Sequence, residues 1–270
     1  NENLSTTTAV ASAFTVNNGS DPISVSSVAT ASGTKTVVLT LASPVGKGKT
    51  VTVSYAAPAV DATTANSAIQ DVAGNDAPSF AALTLATNSS TVDQTGPVFS
   101  SATLANNGLT LTLNYNETLR DPRAAASAFT VLVNGSPVTV SSVAASGNTS
   151  SVVLTLASPI GSGKAVTIAY DAPAVDAGTT NAAIQDTTGN DAVSLSATTV
   201  TNSSTVDQTA PVFSSATLAA NGLTLTLNYN EVLRDPRAPA SAFTVLANGS
   251  PVTVSSVSAN GAISTVVLTL

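Results

Sequence analysis

The sequence predicts an all-β protein, a tandem array of two-sheet β-sandwiches with about seven strands each. Three observations predict it. First, the text repeats every 114 to 115 residues: Asp93-Gln-Thr-Gly-Pro-Val-Phe99 returns as Asp207-Gln-Thr-Ala-Pro-Val-Phe213, and 54 of 64 positions agree between 93–156 and 207–270. A fixed period of this length marks an array of small domains. Second, apolar and polar residues alternate in runs of five to eight, the period-two signature of half-buried strands. Third, Asn-Gly and other turn pairs separate those runs.

The repeat sets three domains. Residues 1–92 carry the text from mid-repeat onward, 93–206 hold a complete repeat, and 207–270 hold its first part. The expected reading is a window on a longer tandem protein. The alternative is a self-contained subunit whose missing strands come from neighbouring chains.

Within 93–206 the elements follow in order. Residues 97–104 form the first predicted strand. Asn107-Gly108 then turns the chain, since both residues tolerate positive φ. The second strand is 109–115, with Leu109, Leu111, Leu113 and Tyr115 on one face. A helical turn is expected within 121–128. A strand at 129–133, the Asn134-Gly135 turn and a strand at 138–143 come next. Strands near 152–156, 165–170 and 192–201 complete the set. Inward Val, Leu and Ile, with single Phe and Tyr rings, suffice for a modest core at this size.

Seven is odd. If each strand reverses the last, a domain starts at one pole and ends at the other, and tandem copies form an extended rod. An eight-residue strand spans about 26 Å, so each domain adds roughly 35–45 Å.

Composition excludes several functions. There is no Cys, His, Met or Trp, and 9% of residues are charged. No disulfide, thiol nucleophile or thiolate metal site is available. A net charge of −7, with eight basic residues in no cluster, argues against nucleic acid. No apolar run is long enough for a transmembrane helix. The sequence therefore points away from an enzyme: its serines lack any base beyond carboxylates and a few lysines. Few aromatic residues are present, and those in strands alternate with core positions, so a glycan platform is the weaker expectation. Asn88-Ser-Ser90 and Asn202-Ser-Ser204 match glycosylation signals, but an Asn/Ser/Thr-rich chain produces such triplets by chance.

The acids carry the most information. Fourteen of 15 carboxylates map to the pole that faces the preceding domain; Asp21 alone maps to the other. Crowded carboxylates repel unless a positive charge sits among them. A hard divalent cation, Ca²⁺, is the natural candidate because it takes six to eight oxygens in tolerant geometry. The recurring candidates are Asp93 in the linker, Glu117 at the end of the second strand, and Asp186 and Asn190 in the loop before the last strand. Their counterparts are Glu2, Asp71 and Asn75 in the first repeat, and Asp207 and Glu231 in the third. The competing reading is turn chemistry, since Asp-x-x-Gly-Asn caps local amides and accepts left-handed φ.

Together, Thr209-Ala-Pro-Val-Phe213, the run ending Asn228-Tyr-Asn-Glu231, Val166-Thr-Ile-Ala-Tyr-Asp-Ala-Pro173 and Ile184-Gln-Asp-x-x-Gly-Asn190 carry a resemblance. The chain resembles the SwmB-type repeats of bacterial cell-surface proteins and is similar to bacterial Ig-like modules that close with Asp-x-Ala-Gly-Asn. Asp71-Val-Ala-Gly-Asn75 matches that form, while Asp186-Thr-Thr-Gly-Asn190 departs at its middle. The resemblance implies Ig-like sandwiches in large secreted or surface-anchored proteins linked to motility or adhesion. The expected function is therefore a structural spacer of an extracellular or cell-surface bacterial protein, stiffened by Ca²⁺ at its junctions. Two alternatives stand beside it: a self-assembling extracellular filament using strand exchange, and an adhesin module for a cell-surface glycan.

Overall fold

The structure, a computed structural model, describes residues 2–6, 9–31, 33–58, 67–85, 87–120, 124–144, 149–173, 182–234, 238–258 and 264–270. Asp61, Asp121, Asp176 and Asp235, among the acids assigned to a pole from sequence, lie outside the described residues. The chain divides into two compact units, Asn1–Ser204 and Thr205–Leu270. Both are all-β; the helices among the described residues are single 3-10 turns at Ala11–Ala13, Ala126–Ala128 and Ala240–Ala242.

The first repeat contributes β1 (Phe14–Asn18), β2 (Asp21–Ile23), β3 (Val25–Thr30), β4 (Val37–Leu41), β5 (Val51–Tyr55) and β6 (Phe80–Thr84). The second contributes β7 (Phe99–Leu104), β8 (Thr110–Leu119), β9 (Phe129–Val133), β10 (Ser136–Val138), β11 (Val140–Ala144), β12 (Thr149–Leu156), β13 (Val166–Tyr170) and β14 (Leu195–Asn202). The second unit holds β15 (Phe213–Leu218), β16 (Thr224–Tyr229), β17 (Val245–Ala247), β18 (Ser250–Val252), β19 (Ser256–Ser258) and β20 (Thr265–Thr269).

In the complete repeat the strands run β10-β9-β13-β14-β7-β8-β12-β11. Two four-stranded antiparallel sheets meet where β14 pairs with β7, Thr201 opposite Thr103 and Asn202 opposite Leu104. That pairing is parallel. The first and last strands of the repeat therefore point the same way, so the chain leaves at the end opposite to the one it entered.

The strand expected at 138–143 is two strands. β10 bonds β9 in one sheet, and β11 bonds β12 in the other. Thr139 alone separates them, and its carbonyl accepts the Ala157 N–H at 2.9 Å. Pro137 lacks an N–H, which suits an edge strand that leaves its ladder early. Val138 and Val140 stay on one face and pack into the core on both sides of the crossing. Because β10 and β11 continue in one direction, the repeat has eight strands but seven passes.

Alternation builds the core. Along β13, Val166, Ile168 and Tyr170 are buried while Thr167 and Ala169 are not. Leu104, Leu111, Leu113, Leu119 and Leu154 are fully buried around them. Asn134 and Gly135 both take positive φ, 48° and 84°, as a two-residue hairpin requires. The other predicted turn differs: at Asn107-Gly108 only Gly108 is left-handed. The Asn107 Oδ1 instead accepts the N–H groups of Leu109 and Thr110, which closes a longer loop and delays the strand to Thr110.

The aromatic residues of the first two repeats are core or packed against it. Phe129 and Tyr170 lie 5.2 Å apart between ring centroids, and Phe14 and Tyr55 repeat the pair at 5.1 Å. Each tyrosine hydroxyl accepts one buried N–H at 3.0 Å, Ile184 on Tyr170 and Ile69 on Tyr55. These bonds pin the start of the acidic loop to the sandwich. Tyr170→Phe removes the acceptor and strands a buried N–H. It should destabilise the first unit by about 1–3 kcal/mol in denaturant unfolding, and a change within error would show that the phenol is not needed.

Candidate metal centre at the repeat junction

The loop after Ile184 is built around one carboxylate. Asp186 is 2% exposed. Its Oδ1 accepts the N–H groups of Thr188, Gly189 and Asn190 at 2.7–2.8 Å, and its Oδ2 accepts the Asn190 Nδ2 at 2.7 Å. Gly189 sits at φ 96°, a conformation an L side chain resists. The neighbouring Gln185 is also buried and donates Nε2 to Asp191 Oδ1 at 2.7 Å. The first repeat copies this loop: Asp71 accepts from Ala73 and Asn75, and Gln70 donates to Asp76. The Asn75 bonds, helped by Glu2 and Ala73, hold the Asp71 carboxyl down at about 2. Turn chemistry is therefore present in both loops.

Glu117 reaches the same place from β8. That strand pairs with β12 through Leu119–Thr149 and then Asn114–Ser151, so 115–118 oppose a single residue and bulge out of the ladder. The bulge stands beside the loop, where Leu119 bridges to Asp186 and the Arg120 N–H donates to the Gln185 carbonyl at 2.9 Å. Asp93 arrives from the linker. Its Oδ1 accepts the N–H and hydroxyl of Thr95, which lowers its pKa, with a smaller contribution from the charge of Lys47.

Carboxylate oxygens of Asp93, Glu117 and Asp186 lie within 4.8 Å of one another. Three candidates widely separated in sequence thus converge on one site. Burial pushes the Glu117 pKa up, and the charges of Asp186 and Asp93 add to it. Asn190 and Asn75 both use their amide Nδ2 as a donor. Asn190 donates Nδ2 to Asp186, to Thr188 and to the Asp93 carbonyl at 3.3 Å, so it braces the site as a donor. Asn75 donates to Asp71 in the same way. Glu2 and Asp71 lie together in the first repeat. Asp207 and Glu231 belong to the second unit, where Asp207 repeats the Thr cap by accepting from Thr209.

The linker that carries Asp93 is bonded to the repeats on both sides, by contacts that the sequence analysis does not contain. Asn88 donates Nδ2 to the carbonyls of Gly46 and Lys49, and the Ser90 hydroxyl donates to Val45. The Lys47 N–H donates to the Val92 carbonyl at 2.7 Å. Gln94 donates to the Pro44 carbonyl and accepts from Asn18. On the far side, Asn190 holds the Asp93 carbonyl, and a Cβ on Gly96 would stand 2.0 Å from the Asp191 carbonyl oxygen. Asn202 and Ser204 repeat the strap on Gly161, Lys164 and Ile160. The recurrence of Asn-Ser-Ser at the same phase of both repeats was the available signal. Its side chains serve the strap.

A family model matches residues 1–60, 92–175 and 206–270, more than half of the chain, and its description is "putative flagellar system-associated repeat". The chain belongs to this SWM repeat family. No curated protein and no solved structure matches it. The SWM segments that open at 92 and 206 begin in the strap, one residue before Asp93 and Asp207.

The two acids of the site separate by substitution. Asp186→Ala removes the anchor of the loop and should lower stability with or without divalent cation. Glu117→Gln should raise cation-free stability at pH 7, because it removes a charge that the site disfavours. By the same sign, a carboxyl with a raised folded pKa stabilises when protonated, so the cation-free wild type should gain stability as pH falls through the Glu117 titration. Thermal melts of both variants between pH 4 and 8 check this. A Glu117→Gln protein that is less stable than wild type throughout would show that the carboxylates do not repel.

Proposed function

We propose that these SWM repeats are spacer modules of a large extracellular or cell-surface bacterial protein serving motility or adhesion, with Ca²⁺ stiffening each junction. The observation that carries the reading is the direction of the chain. First and last strands of the complete repeat run parallel, so the chain leaves that repeat at the end opposite to the one it entered. The strap supports it: Val92 is bonded by the first repeat and Asp93 by the second, which leaves no free residue between them. The family's description supports a motility setting. The spacer needs no catalytic group, and none is proposed.

In this reading Asp93, Glu117 and Asp186 hold the cation, with water completing its shell. The ion offsets the repulsion among three carboxylates and ties the linker to two elements of the following repeat. Asn190 fixes Asp186 and the Asp93 backbone as a second layer of support.

At tenfold excess over its dissociation constant, a cation that binds only the folded state adds about 1.4 kcal/mol. The 270-residue chain should therefore melt several degrees higher in millimolar Ca²⁺ than in chelator, and Glu117→Gln should erase the difference. Equal melting temperatures for the wild type in Ca²⁺ and in chelator would remove the cation from the account.

A further inference from the structure

The first and last strands of the complete repeat are interior strands. In the order β10-β9-β13-β14-β7-β8-β12-β11 the edges are β10 and β11, and β14 and β7 lie side by side in the middle. β7 is bonded to β8 along its length, from Phe99 opposite Tyr115 to Leu104 opposite Leu111, and to β14 at its far end. β14 is bonded on its other side to β13, from Leu195 opposite Tyr170 to Val200 opposite Val166. Neither strand can be peeled from a sheet edge.

Both strands are reinforced where the chain enters and leaves. At the entry the Val98 carbonyl accepts the Asn116 N–H at 3.0 Å, and the Val98 N–H donates to Asn116 Oδ1 at 2.8 Å. At the exit the Ser203 N–H donates to the Leu104 carbonyl of β7 at 3.0 Å. Asn202 Nδ2 donates to the carbonyls of Gly161 and Lys164 at 3.0 and 2.9 Å, and the Ser204 hydroxyl donates to Ile160 at 2.7 Å. Leu104 and Ser204 are buried, and hydrogen bonds away from water are electrostatically stronger. Direction decides how such bonds fail. A pull across a ladder loads its bonds one at a time from one end, whereas a pull along it loads them together. β7 points into the repeat, and β14, parallel to it, points out. Tension between the two ends draws β7 back along its axis and β14 forward along its own, so the ladders of both strands are sheared.

We propose that β7 and β14 form a load-bearing clamp, and that the repeat resists tension between its ends in addition to setting a distance. The β9–β10 hairpin gives the contrast. Its ladder runs from Val133 opposite Ser136 to Val131 opposite Val138, at a sheet edge, where a sideways pull opens bonds in sequence. The clamp rests on the spacer reading for the source of the load, and it needs no cation. The melts that test the cation do not measure a direction of pull, so the two readings can fail separately.

Single-molecule pulling on the 270-residue chain, with chelator throughout, tests it. The chain has no cysteine, so an introduced pair sets the direction of pull. Val98→Cys with Ser203→Cys, both at exposed side chains, loads the clamp along its strands. Ser136→Cys with Ser203→Cys, also exposed, loads the same repeat across them. At one loading rate the axial pull should need about twice the force of the lateral pull or more, because forced unfolding follows the barrier and not the equilibrium stability. Axial rupture should release the 98–203 segment in one step, roughly 350–380 Å of extended chain. Asn202→Ala, which removes two exit bonds, should lower the axial force more than the lateral one. Equal forces in the two directions, or an axial force that ignores Asn202→Ala, would overturn the proposal.

Discussion

The structure depends on a strap with no slack. Residues 88–97 are bonded along their length, first to the top of one repeat and then to the base of the next. Flexible linkers reach further as they lengthen and transmit direction poorly. Here Val92 and Asp93 are neighbours in sequence and are held by different repeats. A parallel first and last strand fixes the end at which the chain leaves the complete repeat.

The acidic cluster is a product of the same constraint. Asp186 organises its own loop with a full set of amide donors, and that loop must lie against the linker for Asn190 to grip the Asp93 backbone. The β8 bulge brings Glu117 alongside. The three carboxylates are thus gathered by packing, at the cost of raising the Glu117 pKa. A charge conflict built into a junction can be relieved by protonation or by a cation. Lys47 of the preceding repeat offers partial relief near Asp93.

Much of this was legible in the sequence, and for identifiable reasons. The alternation Leu111, Leu113, Tyr115 and Val166, Ile168, Tyr170 announced inward faces, and those residues are buried. Comparing copies picked out Asp93, Glu117 and Asp186 as a recurring set, because a repeat acts as its own internal control. The crossing at Thr139 was not legible: period two says which way a side chain points, not which strand lies beside it. The donor bonds of Asn75 and Asn190 were not legible because an amide offers both an oxygen and a donor, and sequence does not say which end faces a neighbour. The strap escaped notice because Asn88 bonds carbonyls about 40 residues away, which leaves no local pattern.

The central claim is the rigidity of that junction. Backbone ¹⁵N relaxation across residues 87–98 of the full chain tests it most directly. The account predicts order parameters near 0.85, equal to those of the flanking strands, including Val92 and Asp93. Values below about 0.6 at those two residues would mean that the repeats move independently, and would contradict it.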